Sequence, residues 1–192
     1  MKKALFISML FTVGIIVCSC GQKNPKVTSN TSNNATSATN NNTVSNTGNN
    51  SPADGTSNAS GTITFKAGGI NYSCSISKVI AASTSLTIQT STADVKTNGY
   101  LMVTCYTATS AINTGAYTSS SSEAISTVSF MDKDVTPYSA TSMTSGSSCT
   151  VNITALTSTS IKGTFTATVL KPIDNSALII TDGVIDCTIT SK

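Results

Sequence analysis

Three sets of residues have types and spacings that could do chemistry. The first centres on Cys20, which follows Met1, Lys2 and Lys3, an apolar run from Ala4 to Val17, and the step Val17-Cys18-Ser19. A positive start, a short apolar run and a small residue directly before a cysteine are what a lipoprotein signal peptidase needs. The expected chemistry is cleavage before Cys20, a diacylglycerol thioether on its sulfur and acylation of the new amino terminus. Two or three acyl chains, at about 0.8 kcal/mol per buried CH2, would hold the chain on a membrane. Cys18 is the weaker candidate, because Val17 puts a β-branched residue where the peptidase wants Gly, Ala or Ser. The apolar run is also short of the roughly 20 residues that span a bilayer.

The second set is acidic. Asp132 with Asp134, and Asp182 with Asp186, are spaced as carboxylate pairs that could serve glycoside hydrolysis. Asp132-Lys133-Asp134 also offers oxygen ligands for calcium, although it matches no calcium loop well. Both pairs lie in turn-like contexts and read as solvated loop ends. The chain has no histidine, which removes the commonest general base, the Ser-His-Asp arrangement and most zinc sites. No catalytic, cofactor-binding or metal-binding residue is therefore assigned, and the chain is expected not to be an enzyme. Tyr100, Tyr106, Tyr117 and Tyr138 could line a sugar-binding face, but strand tyrosines are ordinarily half-buried packing residues.

The third set is Cys74, Cys105, Cys149 and Cys187. Cys74 alternates with Ile70, Tyr72 and Ile76; Cys105 with Leu101 and Val103; Cys149 with Val151 and Ile153; Cys187 with Ile185 and Ile189. All four are thus expected on the apolar face of strands. In an oxidising envelope compartment an even set of core-facing cysteines is most simply two disulfides. Three connectivities are open, and closing first strands against last favours Cys74–Cys187 with Cys105–Cys149. Free buried thiols are the competing reading. A metal site is disfavoured by the lack of histidine and of any CxxC pair.

The elements that must position these residues fall into three segments: a signal peptide over 1–19, a lipidated cysteine and linker over 20–60, and a folded domain over 61–192. From Val27 to about Ser60 the chain is nearly all Asn, Ser, Thr, Ala and Gly, a composition that cannot offset its ordering entropy and is expected to be disordered. As a flexible coil of roughly 35 residues it would span about 30–35 Å, a tether lifting the domain off the membrane. A self-associating or glycosylated stalk is the sharper alternative. The net charge of +3 is too small and too dispersed to call for nucleic acid.

Gly61 to Lys192 reads as one all-β domain, with period-two alternation and turn residues between runs. Strands are expected near Thr62 to Lys66, Ile70 to Lys78, Ser85 to Thr90, Gly99 to Thr107, Ala124 to Met131, Ser148 to Leu156, Ile161 to Leu170 and Ala177 to Thr190. The last should break at Thr181-Asp182-Gly183. A helical turn fits only at Ala93 to Val95 and around Ser119 to Glu123. Consecutive short strands in this number predict an antiparallel β-sandwich or an up-and-down, lipocalin-like barrel.

Ile161-Lys162-Gly163-Thr164-Phe165-Thr166-Ala167-Thr168, followed by Ile179-Ile180-Thr181-Asp182-Gly183-Val184-Ile185, resembles the paired "G-T-F-x-x-x" and "I-T-x-G-x-F" strands that end a group of small uncharacterised Bacteroidota lipoproteins. Ile63 to Tyr72 is similar to their "F-x-A-x-x-x-G-x-x-W" hairpin, and Asn113-Thr114-Gly115-Ala116-Tyr117 to their "G-T-Y" turn. Tyr72 stands where they commonly have tryptophan, Ile185 replaces the final Phe, and the four cysteines are extra. The resemblance implies fold and location alone, since such families bring no established activity. Gly21, with no aspartate after Cys20, resembles lipoproteins sorted to the outer membrane. The basic stretch Gln22 to Lys26 favours the periplasmic side over the cell surface.

The expected role is a membrane-anchored envelope lipoprotein whose β domain is a structural or interaction module for a protein or glycan. A lipocalin-like carrier of a small apolar ligand is the alternative, and an acid-pair hydrolase is less favoured. A barrel interior lined by small or polar residues would support the carrier, whereas tightly interlocking Ile, Val and Phe would exclude it.

Overall fold

The computed structural model describes residues 51–93 and 95–190. The signal segment, Cys18, Cys20 and the expected linker as far as residue 50 lie outside the described residues. In order, the elements are β1 Gly55–Ala67, β2 Ile70–Ala82, β3 Ser85–Thr90, α1 Val95–Asn98, β4 Tyr100–Thr107, β5 Gly115–Thr118, β6 Ala124–Met131, β7 Pro137–Ala140, β8 Ser148–Leu156, β9 Ser160–Leu170 and β10 Ala177–Thr190. The domain thus begins before the expected boundary at Gly61. Gly55 to Ser60, assigned to the linker by composition, extend β1 because they find partners on both sides: Gly55 to Asn58 against Ala81 to Lys78, and Asn58 to Ser60 against Thr190 to Thr188.

Eight strands close a ring in the order β1-β2-β3-β4-β6-β7-β9-β10 and back to β1, all antiparallel. The all-β fold is therefore a closed barrel, not an open sandwich. Closure removes the unpaired edges that an open sheet exposes. The wall between β6 and β9 is built in two tiers. At one end β7 pairs with β6 and meets β9 at the single position Ser139↔Leu170. Below it the same edge of β9 is taken by β8, from Ser148↔Thr168 to Leu156↔Ile161, and β5 pairs with the far side of β8.

No backbone ladder joins β5 to β6, and side chains close the gap. The fully buried Ser126 Oγ donates to the carbonyl of Tyr117 at 2.9 Å, and the Cys149 thiol donates to the Ser126 carbonyl at 3.2 Å. The Cys149 amide donates to Ser119 Oγ at 3.0 Å. Polar groups buried along this seam are thereby satisfied, as their desolvation requires.

Alternation sets the two faces of the wall. Inward positions are apolar: Ile63, Phe65 and Ala67 on β1, Leu101, Val103 and Cys105 on β4, Ile161, Phe165, Ala167 and Val169 on β9, all at most 5% exposed. Five rings interlock at one end of the interior. Phe130 meets Phe65 edge-on at 5.4 Å and Tyr72 edge-on at 5.1 Å, Phe65 stacks on Tyr72 at 5.2 Å, and Phe165 and Tyr138 complete the set. Ile70, read as part of the apolar face of β2, is instead 57% exposed, because it belongs to the β1–β2 hairpin where the chain leaves the wall. The break expected at Thr181-Asp182-Gly183 is a bulge. Register shifts between Ile180 and Gly183, Asp182 takes φ 55°, and β10 continues through it. The expected helical turn falls slightly later, as α1.

Candidate functional site

The four cysteines face inward as the alternation implies, yet all are free thiols. The favoured Cys74–Cys187 bridge does not form because β1 stands between the two strands: Cys74 opposes Ile63 on one side of β1 and Cys187 opposes Gly61 on the other. That puts two strand spacings between them, about 9–10 Å, beyond the Cα separation a disulfide tolerates. Cys105 and Cys149 are on strands that do not pair. Cys105 opposes Ser126 on β6, and Cys149 reaches Ser126 from β8. The Cys74 thiol donates to the Asn98 carbonyl at 2.9 Å, tying β2 to the end of α1.

Burial pushes the thiols of Cys74 and Cys187 up to about 11 and that of Cys105 up to about 12, where the neighbouring Cys149 adds to the effect. Burial raises Cys149 as well, opposed by hydrogen bonds from Ser126 and Ser119. The folded state therefore holds neutral, unreactive thiols. Their stabilising contribution is complete below the unfolded value of about 9, and it is lost as pH rises from there through 11 to 12. Two results follow. At pH 8, alkylation mapped by mass spectrometry should leave these four cysteines unmodified in the native protein and modify all four in denaturant. The denaturation midpoint should also fall steadily above about pH 9; a midpoint flat to pH 11 would contradict the burial.

The acidic pairs do not converge. Asp182 pairs with Lys66 at 2.9 Å and Asp186 with Lys162 at 3.3 Å, each bridge exposed. Asp132 Oδ1 accepts the amides of Asp134 and Thr136 at 2.9 and 2.8 Å, holding the β6–β7 turn in which Val135 takes φ 62°. Among the described residues no group of three potential metal ligands forms. The tyrosines do not make one face either. Tyr117 is buried with its hydroxyl donating to the Asn113 carbonyl at 2.8 Å, Tyr138 stacks on Phe130, and Tyr100 and Tyr106 lie at opposite ends of the outer side of β4.

Two clefts are lined largely by outward-facing residues of the wall. One cleft of about 470 Å³ includes Thr64, Lys66, Asn71, Ser73 and Asp182. A second, of about 560 Å³, includes Asn152, Thr164, Asp182 and Val184. The two flank the β10 bulge and share Asp182. Strand register explains their alignment. Ser73 opposes Thr64, Thr64 opposes Val184, Val184 opposes Thr164, and Thr164 opposes Asn152. These five exposed side chains form one row across β2, β1, β10, β9 and β8, about 19 Å long at about 4.8 Å per strand. The pairs Lys66–Asp182 and Lys162–Asp186 border the row on either side.

The sequence reading missed this row. Each residue was visible as an outward position of its strand, but which one faced which depends on pairings between segments far apart in the chain.

The fold and its outer wall define a closed eight-stranded antiparallel barrel with a filled interior and shallow external clefts. No family model, no curated protein and no solved structure matches the chain.

Proposed function

We propose that this chain is a lipid-anchored envelope protein, held through Cys20, whose barrel is a binding module working from its outer surface. The observation that carries this reading is the distribution of space. The interior is filled by interlocking Ile, Val, Leu, Phe and Cys side chains, and the large clefts open on the outside of the wall. A carrier of a small apolar ligand needs an enclosed apolar cavity instead. The outward positions of β1, β8 and β9 are mainly Thr, Ser, Asn and Lys, which suits a wall in water better than one facing lipid. Location in the outer membrane, on the periplasmic side, accords with the sequence around Cys20.

The test uses a photo-crosslinking amino acid at Asn152, in the cells that make the protein, with organic extraction of the purified protein beside it. A discrete adduct at Asn152 and an extract free of ligand are expected. A stoichiometric apolar molecule in the extract, with no adduct, would establish the carrier instead.

A further inference from the structure

Resting on the reading of the barrel as an outward-facing binding module, we infer that the row Ser73-Thr64-Val184-Thr164-Asn152 binds a neutral glycan chain laid across the strands. Four of its five side chains offer hydroxyl or amide groups, which can both donate to and accept from sugar hydroxyls. At its centre Val184 is 46% exposed, an apolar spot for the C–H face of one sugar ring. The row passes through both clefts and is about 19 Å long, which fits a polymer of several sugars and exceeds the reach of a single small molecule.

The charges select among polymers. The bordering lysines Lys66 and Lys162 are each neutralised by an aspartate, at 2.9 and 3.3 Å. Of the lysines lining the clefts, Lys133 alone forms no ion pair among the described residues, lying instead over the Tyr72 ring at 5.3 Å, and a single ammonium in the first cleft is not the run of cations that a phosphate or uronate polymer needs. An extended peptide is disfavoured by the backbone. It gains affinity by adding to a free sheet edge, but β1, β9 and β10 are paired along both edges here, and the row runs across the strands. Sugar recognition through side-chain hydroxyls and amides needs no free edge. The rings that line the clefts, Phe65, Tyr72 and Phe165, are each at most 7% exposed, so hydrogen bonds supply most of the affinity, which increases with the number of sugars spanning both clefts.

The experiment titrates the full mature chain, in detergent, with cellohexaose, maltohexaose, laminarihexaose and chitohexaose, their dimers, and a hexamer of galacturonate as the charged control. Amide shifts are followed by NMR. At least one neutral hexamer should bind saturably, shifting Thr64 in the first cleft and Asn152 and Thr164 in the second, and should bind at least about tenfold more tightly than its dimer. Asn152→Ala and Thr64→Val, both at exposed positions, should each weaken binding about 3–10-fold, the loss of one or two hydrogen bonds, with unfolding midpoints unchanged. Binding of the galacturonate hexamer alone would overturn the neutral-glycan inference. If no oligosaccharide binds while Asn152 cross-links to a polypeptide in cells, the inference falls and the module reading stands. If neither occurs, both fall.

Discussion

Phe130→Ala is expected to destabilise the barrel by about 3–5 kcal/mol, the range for removing a buried aromatic side chain. Phe130 is 2% exposed and touches three rings at once: Phe65 and Tyr72 edge-on at 5.4 and 5.1 Å, and Tyr138 at 5.9 Å. Those rings come from β1, β2 and β7, so a cavity here loosens the short tier of the wall, where β7 meets β9 at one position. Collapse into the void is opposed on one side by the stacked Phe65–Tyr72 pair. Phe130→Leu, which keeps most of the volume, should cost less than half as much. Urea unfolding with an unchanged m-value is the measurement. A loss below about 1 kcal/mol for the alanine variant would mean that the ring cluster does not hold this end together.

The second large effect is expected at Gly61. Its φ is +116°, and a Cβ built there would stand 2.1 Å from the Asp186 carbonyl oxygen. Gly61→Ala must therefore strain the backbone and push β1 away from β10, where Gly61 opposes Cys187. Strain of about 1–3 kcal/mol for the left-handed conformation adds to a similar cost for overpacking, giving about 2–5 kcal/mol. Gly69→Ala is the control, because Gly69 also has a positive φ, +83°, but no atom within 4 Å of its missing Cβ. It should lose only the conformational part, about 1 kcal/mol. Equal losses at the two glycines would show that the close approach to Asp186 is relieved cheaply.

Much of this barrel was legible in the sequence because each strand has one wet and one dry face. Ser85–Thr90, Ala124–Met131 and Ser148–Leu156 were read with the bounds the structure gives them. β5 and β7 escaped because each is four residues long, too short for alternation to register, and Gly115 at the start of β5 read as part of a turn. The bulge at Asp182 was legible as an irregularity, but its outcome was not. Pairing to both β1 and β9 carries the chain through a point where an isolated strand would end. The cysteines mark the same limit. Alternation said that their side chains point inward, but it could not say that β1 is inserted between β2 and β10 and so separates Cys74 from Cys187.

The placement of β1 also bears on how the domain takes mechanical load. The strand along which the chain enters the barrel is laddered to β2 from Gly55 and to β10 from Asn58. Tension applied at its N-terminal side runs along the strand, at right angles to hydrogen bonds on both edges. The two ladders then resist together in shear, and do not peel apart one rung at a time. Because Thr64 lies on this same strand, a polymer gripped across the outer wall of a chain anchored as proposed would load a strand bonded on both edges.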